Sequence, residues 1–193
     1  MSDSVPDPEA NLQMSPPPQT VTSAIRPCEE DDVAAITAIY AHHVLYGLAS
    51  FEIAPPTEID MRQRRLEIVG QGFPYLVAKH EGDVVGYAYA SPYRLRPAYR
   101  YTAENSVYLH PAWIGRGIGA QLMSALLAEC EARSLRQIVA VIGDSANKAS
   151  IELHRRLGFS MVGTMRSAGY KFGRWVDSVL MQRTLGAGDS APP

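Results

Sequence analysis

With 193 residues, 46% of them hydrophobic and 20% charged, the chain is sized for one α/β domain with a true core and short tails. Its 18 Lys and Arg nearly balance 20 Asp and Glu, which argues against attachment to nucleic acid or to anionic membranes by bulk charge. No apolar run approaches the roughly 20 residues of a membrane span, and no signal peptide opens the chain, so a cytoplasmic protein is expected. Its two cysteines, Cys28 and Cys130, lie far apart in no metal-ligand spacing and read as reduced thiols.

Residues 1–22 hold five prolines among Ser, Asp and Gln, too little apolar surface to offset the entropy of ordering, and are expected to be a flexible extension. The domain is expected over 23–185. Ser23 to Pro27 suggests a short strand. Glu29, Glu30, Asp31 and Asp32 then open a helix, with acids at the positive end of its dipole, and Val33, Ile36, Tyr40 and Val44 give it one apolar face. A second helix runs from Thr57 to Val69, capped by Thr57 with Asp60 three residues on. Tyr75 to Lys79 and Val84 to Ala90 flank Glu81-Gly82-Asp83 and predict a β-hairpin. A strand over Tyr101 to Leu109 follows, then a helix over Gly117 to Ala132. The unbroken apolar run Gln137 to Ile142 suits a central strand covered on both faces. Asn147 to Leu157 is a helix stopped by Gly158. Strands at Ser160 to Val162 and Trp175 to Leu180 finish the domain, and 186–193 is expected to be a flexible tail. The order predicts a mixed sheet with helices on both faces, of the α/β (α+β) class. Phe73, Tyr75, Phe159 and Phe172 are read as core, and Trp175 as core or interface.

Between the fourth strand and the helix after it, Gly115, Gly117 and Gly119 alternate. Without Cβ atoms such a loop can turn its backbone N–H groups toward one point at the helix's positive end, where an anion binds. Tight strand-to-helix connections use glycines in the same way, so the loop alone leaves both readings open. No Lys-Ser/Thr follows it as in a P-loop, and no ribose-binding acid follows as in a dinucleotide fold.

Two segments in this order, Val107 to Ala120 and Asn147-Lys148-Ala149-Ser150-Ile151-Glu152-Leu153-His154 through Gly158-Phe159, resemble the GNAT acetyltransferase superfamily. A closer resemblance, over about Ile25 to Leu185, is to the phosphinothricin and methionine sulfoximine acetyltransferases. It is carried by Tyr101 to Tyr108, Leu153 to Phe159 and Gly169 to Asp177. The resemblance implies a mostly antiparallel sheet with splayed central strands, and acetyl-CoA wedged between them at Val107 and Ile138. It also implies a homodimer, a small amine as second substrate, and no metal, nucleic acid or membrane partner. Backbone groups of Val107, Tyr108 and Leu109 would pair with the cofactor's pantetheine arm, and one of their N–H groups would polarise the thioester carbonyl. Gly115, Arg116, Gly117, Ile118, Gly119 and Ala120 would hold the pyrophosphate, and Asn147 would lie near the thiol. The superfamily loop usually begins with Gln or Arg; Ile114 stands there in this chain, and Arg116 is the nearest charge.

Acyl transfer to an amine needs a base for the amine, a donor for the developing oxyanion and a proton for the thiolate. Glu104, three residues before Val107, is the candidate base, directly or through water; on strand position alone it also suits a solvated or ion-paired glutamate. His154 stands where many relatives carry a tyrosine proton donor. It titrates near neutrality, or it packs under the cofactor on a backbone carbonyl. The segment Tyr93 to Tyr101 is dense in Arg and Tyr. The resemblance makes Arg94, Leu95 and Arg96, with Glu104, Asn105 and Ser106, the substrate pocket, in which guanidinium groups grip a carboxylate or phosphinate. A solvated basic loop is the plainer alternative. A protein or peptide acetyltransferase, or a non-catalytic acyl-CoA sensor, are the rival functions. The remaining histidines, His42, His43, His80 and His110, form no cluster.

Overall fold

Seven strands hydrogen-bond in the order β1-β2-β3-β4-β5-β7-β6 in the structure, a computed structural model that describes residues 20–193. They are β1 (Ala24–Pro27), β2 (Tyr75–His80), β3 (Asp83–Pro92), β4 (Thr102–Leu109), β5 (Gln137–Gly143), β6 (Ser160–Lys171) and β7 (Arg174–Thr184). Helices α1 (Val33–Tyr46) and α2 (Glu58–Gly70) cover one face of the sheet; α3 (Ile118–Ala132) and α4 (Lys148–Arg156) cover the other. Among the described residues the β4–β5 pair alone is parallel.

Local chemistry places most of these elements where the sequence predicts them. In α1, Val33, Ile36, Ile39, Tyr40 and Val44 recur at helical spacing and are all buried. The acidic run before it forms a separate single 3-10 turn, Glu30–Asp32. Asp32 is 3% exposed, and its carboxylate accepts from Arg26 Nη1 and Nη2 at 2.7 and 2.8 Å. At the start of α2 the expected capping box is present: Asp60 N–H donates to Thr57 Oγ1 (3.2 Å) and Thr57 N–H to Asp60 Oδ2 (2.9 Å). The hairpin turns Glu81-Gly82 and Phe172-Gly173 both put two residues at positive φ, the twist that a two-residue connection requires.

Two expectations are corrected. Strands β6 and β7 have 12 and 11 residues, far longer than Ser160 to Val162 and Trp175 to Leu180. The pairing slips between Met161 and Gly163 and again between Met165 and Gly169, and most of β6 is exposed, so no period-2 pattern marks it. Phe172 is 57% exposed and belongs to no core; Trp175, at 64%, is not core either, which leaves its interface alternative. The tail after Leu185 carries turn hydrogen bonds, Gly188 N–H to Leu185 O and Ser190 N–H to Ala187 O. The N-terminal extension falls outside the described residues as far as 19, but residues 20–22 are tied to the domain: Val21 N–H donates to Arg116 O at 3.1 Å.

Strands β4 and β5 pair from Thr102↔Gln137 to Asn105↔Ala140 and then part. Ile138, fully buried opposite Ala103, therefore lies in the closed half of the pair. The wall facing Val107 across the gap is Val141 to Gly143, which corrects the expected position of the cleft.

Candidate active site

The parted strands open into a cleft of about 950 Å³ between α3, α4 and the loop after α1. Its far end is the glycine loop. Gly115 (φ +83°) and Gly117 (φ +81°) both take left-handed backbone, which glycine adopts without the steric cost of a Cβ. Gly117 is the N-cap of α3, so the N–H groups of Ile118, Gly119 and Ala120 lie in the first turn, unpaired within the helix and at its positive end. These donors fit a pyrophosphate. The side chains of two residues assigned to this site do something else. Ile118 is buried in the core at 0% exposure, and Arg116 stacks over Trp113, its guanidinium carbon 4.8 Å from the ring centre. Ile118 thus offers only its backbone, and Arg116 does not line the cleft.

The near end is built around β4. His110 N–H donates to Val85 O (2.9 Å) and Tyr93 N–H to Thr102 O (3.3 Å) at the two ends of the β3–β4 ladder. Alternation between them directs the backbone groups of Glu104, Ser106 and Tyr108 to β3, and those of Val107 and Leu109 to the cleft. Tyr108's main chain is therefore already paired, a correction to the expected three-residue run. Of the two remaining residues, Leu109 has its carbonyl taken by His43 Nε2–H at 2.7 Å. Val107 N–H and C=O and Leu109 N–H are left for a pantetheine-like arm. Burial holds the His43 imidazole below its ordinary pKa, consistent with a neutral ring donating to that carbonyl.

Alternation also sorts the side chains. Ala103, Asn105, Val107 and Leu109 face α3 and α4, while Glu104, Ser106 and Tyr108 face α1 and α2. Glu104 is half-buried, and burial alone raises its carboxyl above the ordinary value, as suits a base that must take a proton. His154, 2% exposed, lies on the opposite face. Its Nδ1–H donates to Ser150 O (2.8 Å), which leaves Nε2 to accept from Asn105 Nδ2 (2.9 Å). Burial lowers its pKa, and its ring meets Phe159 edge-on at 4.9 Å. Both ring nitrogens thus have partners, and burial favours the neutral ring. Asn105 Oδ1, by contrast, is buried without a partner at a throat of about 50 Å³, shared with Ser106, Val107, Asn147 and His154.

Asn147 lines both throat and cleft, and its Oδ1 accepts from Ser150 N–H (3.2 Å), so it caps α4 with its amide nitrogen to spare. Arg94, Leu95 and Arg96 do not reach the cleft. They are exposed at the end of the sheet, on a separate cavity of about 430 Å³ that begins at Pro92 and Thr102, two residues from Glu104. On the α1/α2 face a third cavity, about 210 Å³, is walled by Tyr40, Tyr75, Tyr87, Tyr89 and Ser91 with Arg64 at its rim. Ser91 pairs with Glu104 across the ladder, and the Glu104 charge adds to the burial that raises the Tyr89 phenol.

Sequence reasoning missed His43 and the wall formed by Leu48 and Ala49. A Cβ on Gly143 would collide with the Leu48 carbonyl, so this wall sits directly against the end of β5. Lys171, 3% exposed, pins it from the β6–β7 hairpin by donating to Gly47 O (2.9 Å) and Ser50 O (2.7 Å). Gly47 as a helix stop after Tyr46 was the one local signal; the rest depends on contacts 66 or more residues apart in the chain. Among the described residues no group of three or more His, Cys, Asp or Glu could hold a metal, and no helix is long and apolar enough to cross a membrane.

A cleft with a phosphate cradle at one end and a half-buried carboxylate behind a parted strand at the other is laid out for acyl transfer from a thioester carrier. The chain belongs to the GNAT acetyltransferase family, which it matches over residues 30–159, and is an N-acetyltransferase. It is 52% identical over 169 residues to a phosphinothricin N-acetyltransferase of Alcaligenes faecalis, covering 88% of this chain and 86% of the relative. It is 40% identical over 164 residues to an L-methionine sulfoximine/L-methionine sulfone acetyltransferase of Salmonella typhimurium, covering 83% and 94%. The crystal structure of a GNAT superfamily phosphinothricin acetyltransferase from Sinorhizobium meliloti in complex with acetyl-CoA superposes with a TM-score of 0.87 at 46% identity, covering 90% of this chain and 94% of that one.

Proposed function

We propose that this enzyme acetylates the α-amino group of a small amino-acid-like acceptor, of the phosphinothricin, methionine sulfoximine or methionine sulfone type. Acetyl-CoA, when bound, supplies the acetyl group as an activated thioester. The observation that carries the reading is the placement of Glu104: half-buried, raised by burial, and next to Ser91 and Tyr89 in the wall of a tyrosine-lined cavity of about 210 Å³. That volume admits a free amino acid and leaves little room for a protein chain. The names of the relatives point the same way.

In this reading Glu104 takes the proton that the attacking amine must shed. Val107 N–H donates to the oxygen that gains charge, and the glycine loop with the first turn of α3 anchors the phosphate end. Asn147 and Ser106 line the throat where the two substrates meet. The family likeness assigns the acceptor's carboxylate to Arg94 and Arg96, with Leu95 between them, although they line a cavity separate from the tyrosine-walled one, whose rim carries Arg64. His154 keeps the throat in shape as a neutral ring rather than giving up a proton. The enzyme works in the cytoplasm as a homodimer; support for the dimer comes from the exposed apolar edge of the β6–β7 hairpin, with Met161, Val162, Met165, Tyr170 and Trp175 each 54–64% exposed. Light scattering tests the dimer. Thiol release from acetyl-CoA with the three small acceptors, against a short peptide, tests the activity. Preference for the peptide would hand the site to a protein acetyltransferase.

A further inference from the structure

The glycine loop does not stand alone. Residues 20–23 run across it and are fastened there by one side chain, Gln121, in the first turn of α3. Gln121 Nε2 donates to Val21 O at 2.6 Å, and its Oε1 accepts from Ser23 N–H at 3.0 Å. Between these two bonds Val21 N–H donates to Arg116 O at 3.1 Å. Thr20 lines the cleft itself, and its methyl carbon lies 2.9 Å from where a Cβ on Gly117 would stand.

These contacts act on the part of the loop with most conformational freedom. Arg116 sits between two glycines at φ +83° and +81°, the residue type that loses most backbone entropy on ordering. A trans peptide points its C=O and N–H to opposite sides. Tying the Arg116 carbonyl to Val21 therefore commits the Gly117 N–H to the other direction, away from the bonded strand. Ile114 gives the start of the loop no polar side chain, and Arg116 is drawn off onto Trp113, so neither side chain fastens the loop.

We propose that residues 20–23 are a built-in part of the donor site, a strap that Gln121 holds across the glycine loop to preorganise its N–H groups for the diphosphate of the acyl carrier. Gln121 and Val21 are positioning residues, acting through the loop, and Thr20 closes its open flank. Preorganisation raises affinity by removing an ordering cost from the binding step, so the effect belongs to donor binding and not to the chemical step. The inference rests on the donor-site reading above.

Calorimetry with acetyl-CoA and steady-state kinetics test it on four variants of the full chain. Removing residues 1–19 should leave acetyl-CoA affinity as it is. Removing 1–22 should weaken it about 3–10-fold, the range of one or two net hydrogen bonds, with KM for acetyl-CoA rising in step and kcat held. Gln121→Ala, which keeps a strong helix former in α3, should match that loss. The double variant should lose no more than either alone, since both break one unit. Equal affinity for the two truncations, additive losses, or a fall in kcat at constant KM overturns the strap. If the wild-type protein fails to bind acetyl-CoA, the donor-site reading falls and the strap with it; binding by wild type with no loss in the longer truncation sinks the strap alone.

Discussion

The two halves of the proposed active site are made of different material. The donor half is backbone: two glycines at positive φ, the first turn of α3, and the main chain of Val107 and Leu109 along one parted strand. The acceptor half is side chains, a carboxylate on β4 on the same face of the sheet as a cavity walled by tyrosines from α1, β2 and β3. Backbone recognition constrains few residue identities but constrains them in short runs, where glycine is the one residue that fits. Side-chain recognition draws single residues from distant segments and lets them vary. One half is thus expected to keep a carrier common to a whole family, and the other to decide what receives the acetyl group.

Glu104→Gln should break the halves apart most sharply. Loss of the base should lower kcat about 10²–10⁴-fold with acetyl-CoA binding unchanged; a normal kcat with a raised acceptor KM would make Glu104 a binding residue. In the wild type the acid limb of kcat/KM should lie above the ordinary carboxylate pKa, because burial raises Glu104, and activity should climb as pH rises through that limb. Removing an acceptor grip comes next. Arg94→Ala and Arg96→Ala should each cost about 1.5–3 kcal/mol of transition-state binding for phosphinothricin or methionine sulfone, and little for a peptide. Normal turnover of the small acceptors by both variants would vacate the arginine loop.

On the donor side, Gly117→Val puts a β-branched residue at φ +81° with its Cβ 2.9 Å from Thr20. Strain of about 1–3 kcal/mol should appear as weaker acetyl-CoA binding, visible as a loss of the melting-temperature rise that the cofactor gives the wild type. Asn105→Ala should cost about 1–3 kcal/mol of stability by leaving the buried His154 Nε2 without a donor; a melting curve like that of wild type would argue that water replaces the amide. The smallest effect is one of pH. His43 and His154 are both held below their ordinary 6.5, so the unfolded chain takes up protons first as pH falls. Their contribution to stability is complete above about 6.5 and is lost progressively below it. His154→Gln should flatten the fall in melting temperature between pH 7 and 5, and an unaltered slope would assign that fall to other groups.

What the sequence alone determined lies mostly on the donor side. The alternating glycines, the Asn147 cap, the apolar run of β5 and the stop at Gly158 are decided by local backbone sterics and capping, which act within a few residues. Glu104 was legible through its spacing from Val107 and through family likeness, not through any pattern of its own. Tertiary structure alone decided where the cleft opens, because the last β4–β5 pair, Asn105↔Ala140, depends on packing and on no residue signal. It decided that Tyr108 spends its backbone on β3, that His43 reaches Leu109 O across 66 residues, and that Lys171 pins the wall more than 120 residues away. It also gave both nitrogens of His154 a partner, and neither Ser150 O nor Asn105 Nδ2 is marked in the sequence as one. Contacts of that range follow from how the sheet twists and which faces its helices cover, and a one-dimensional period records neither.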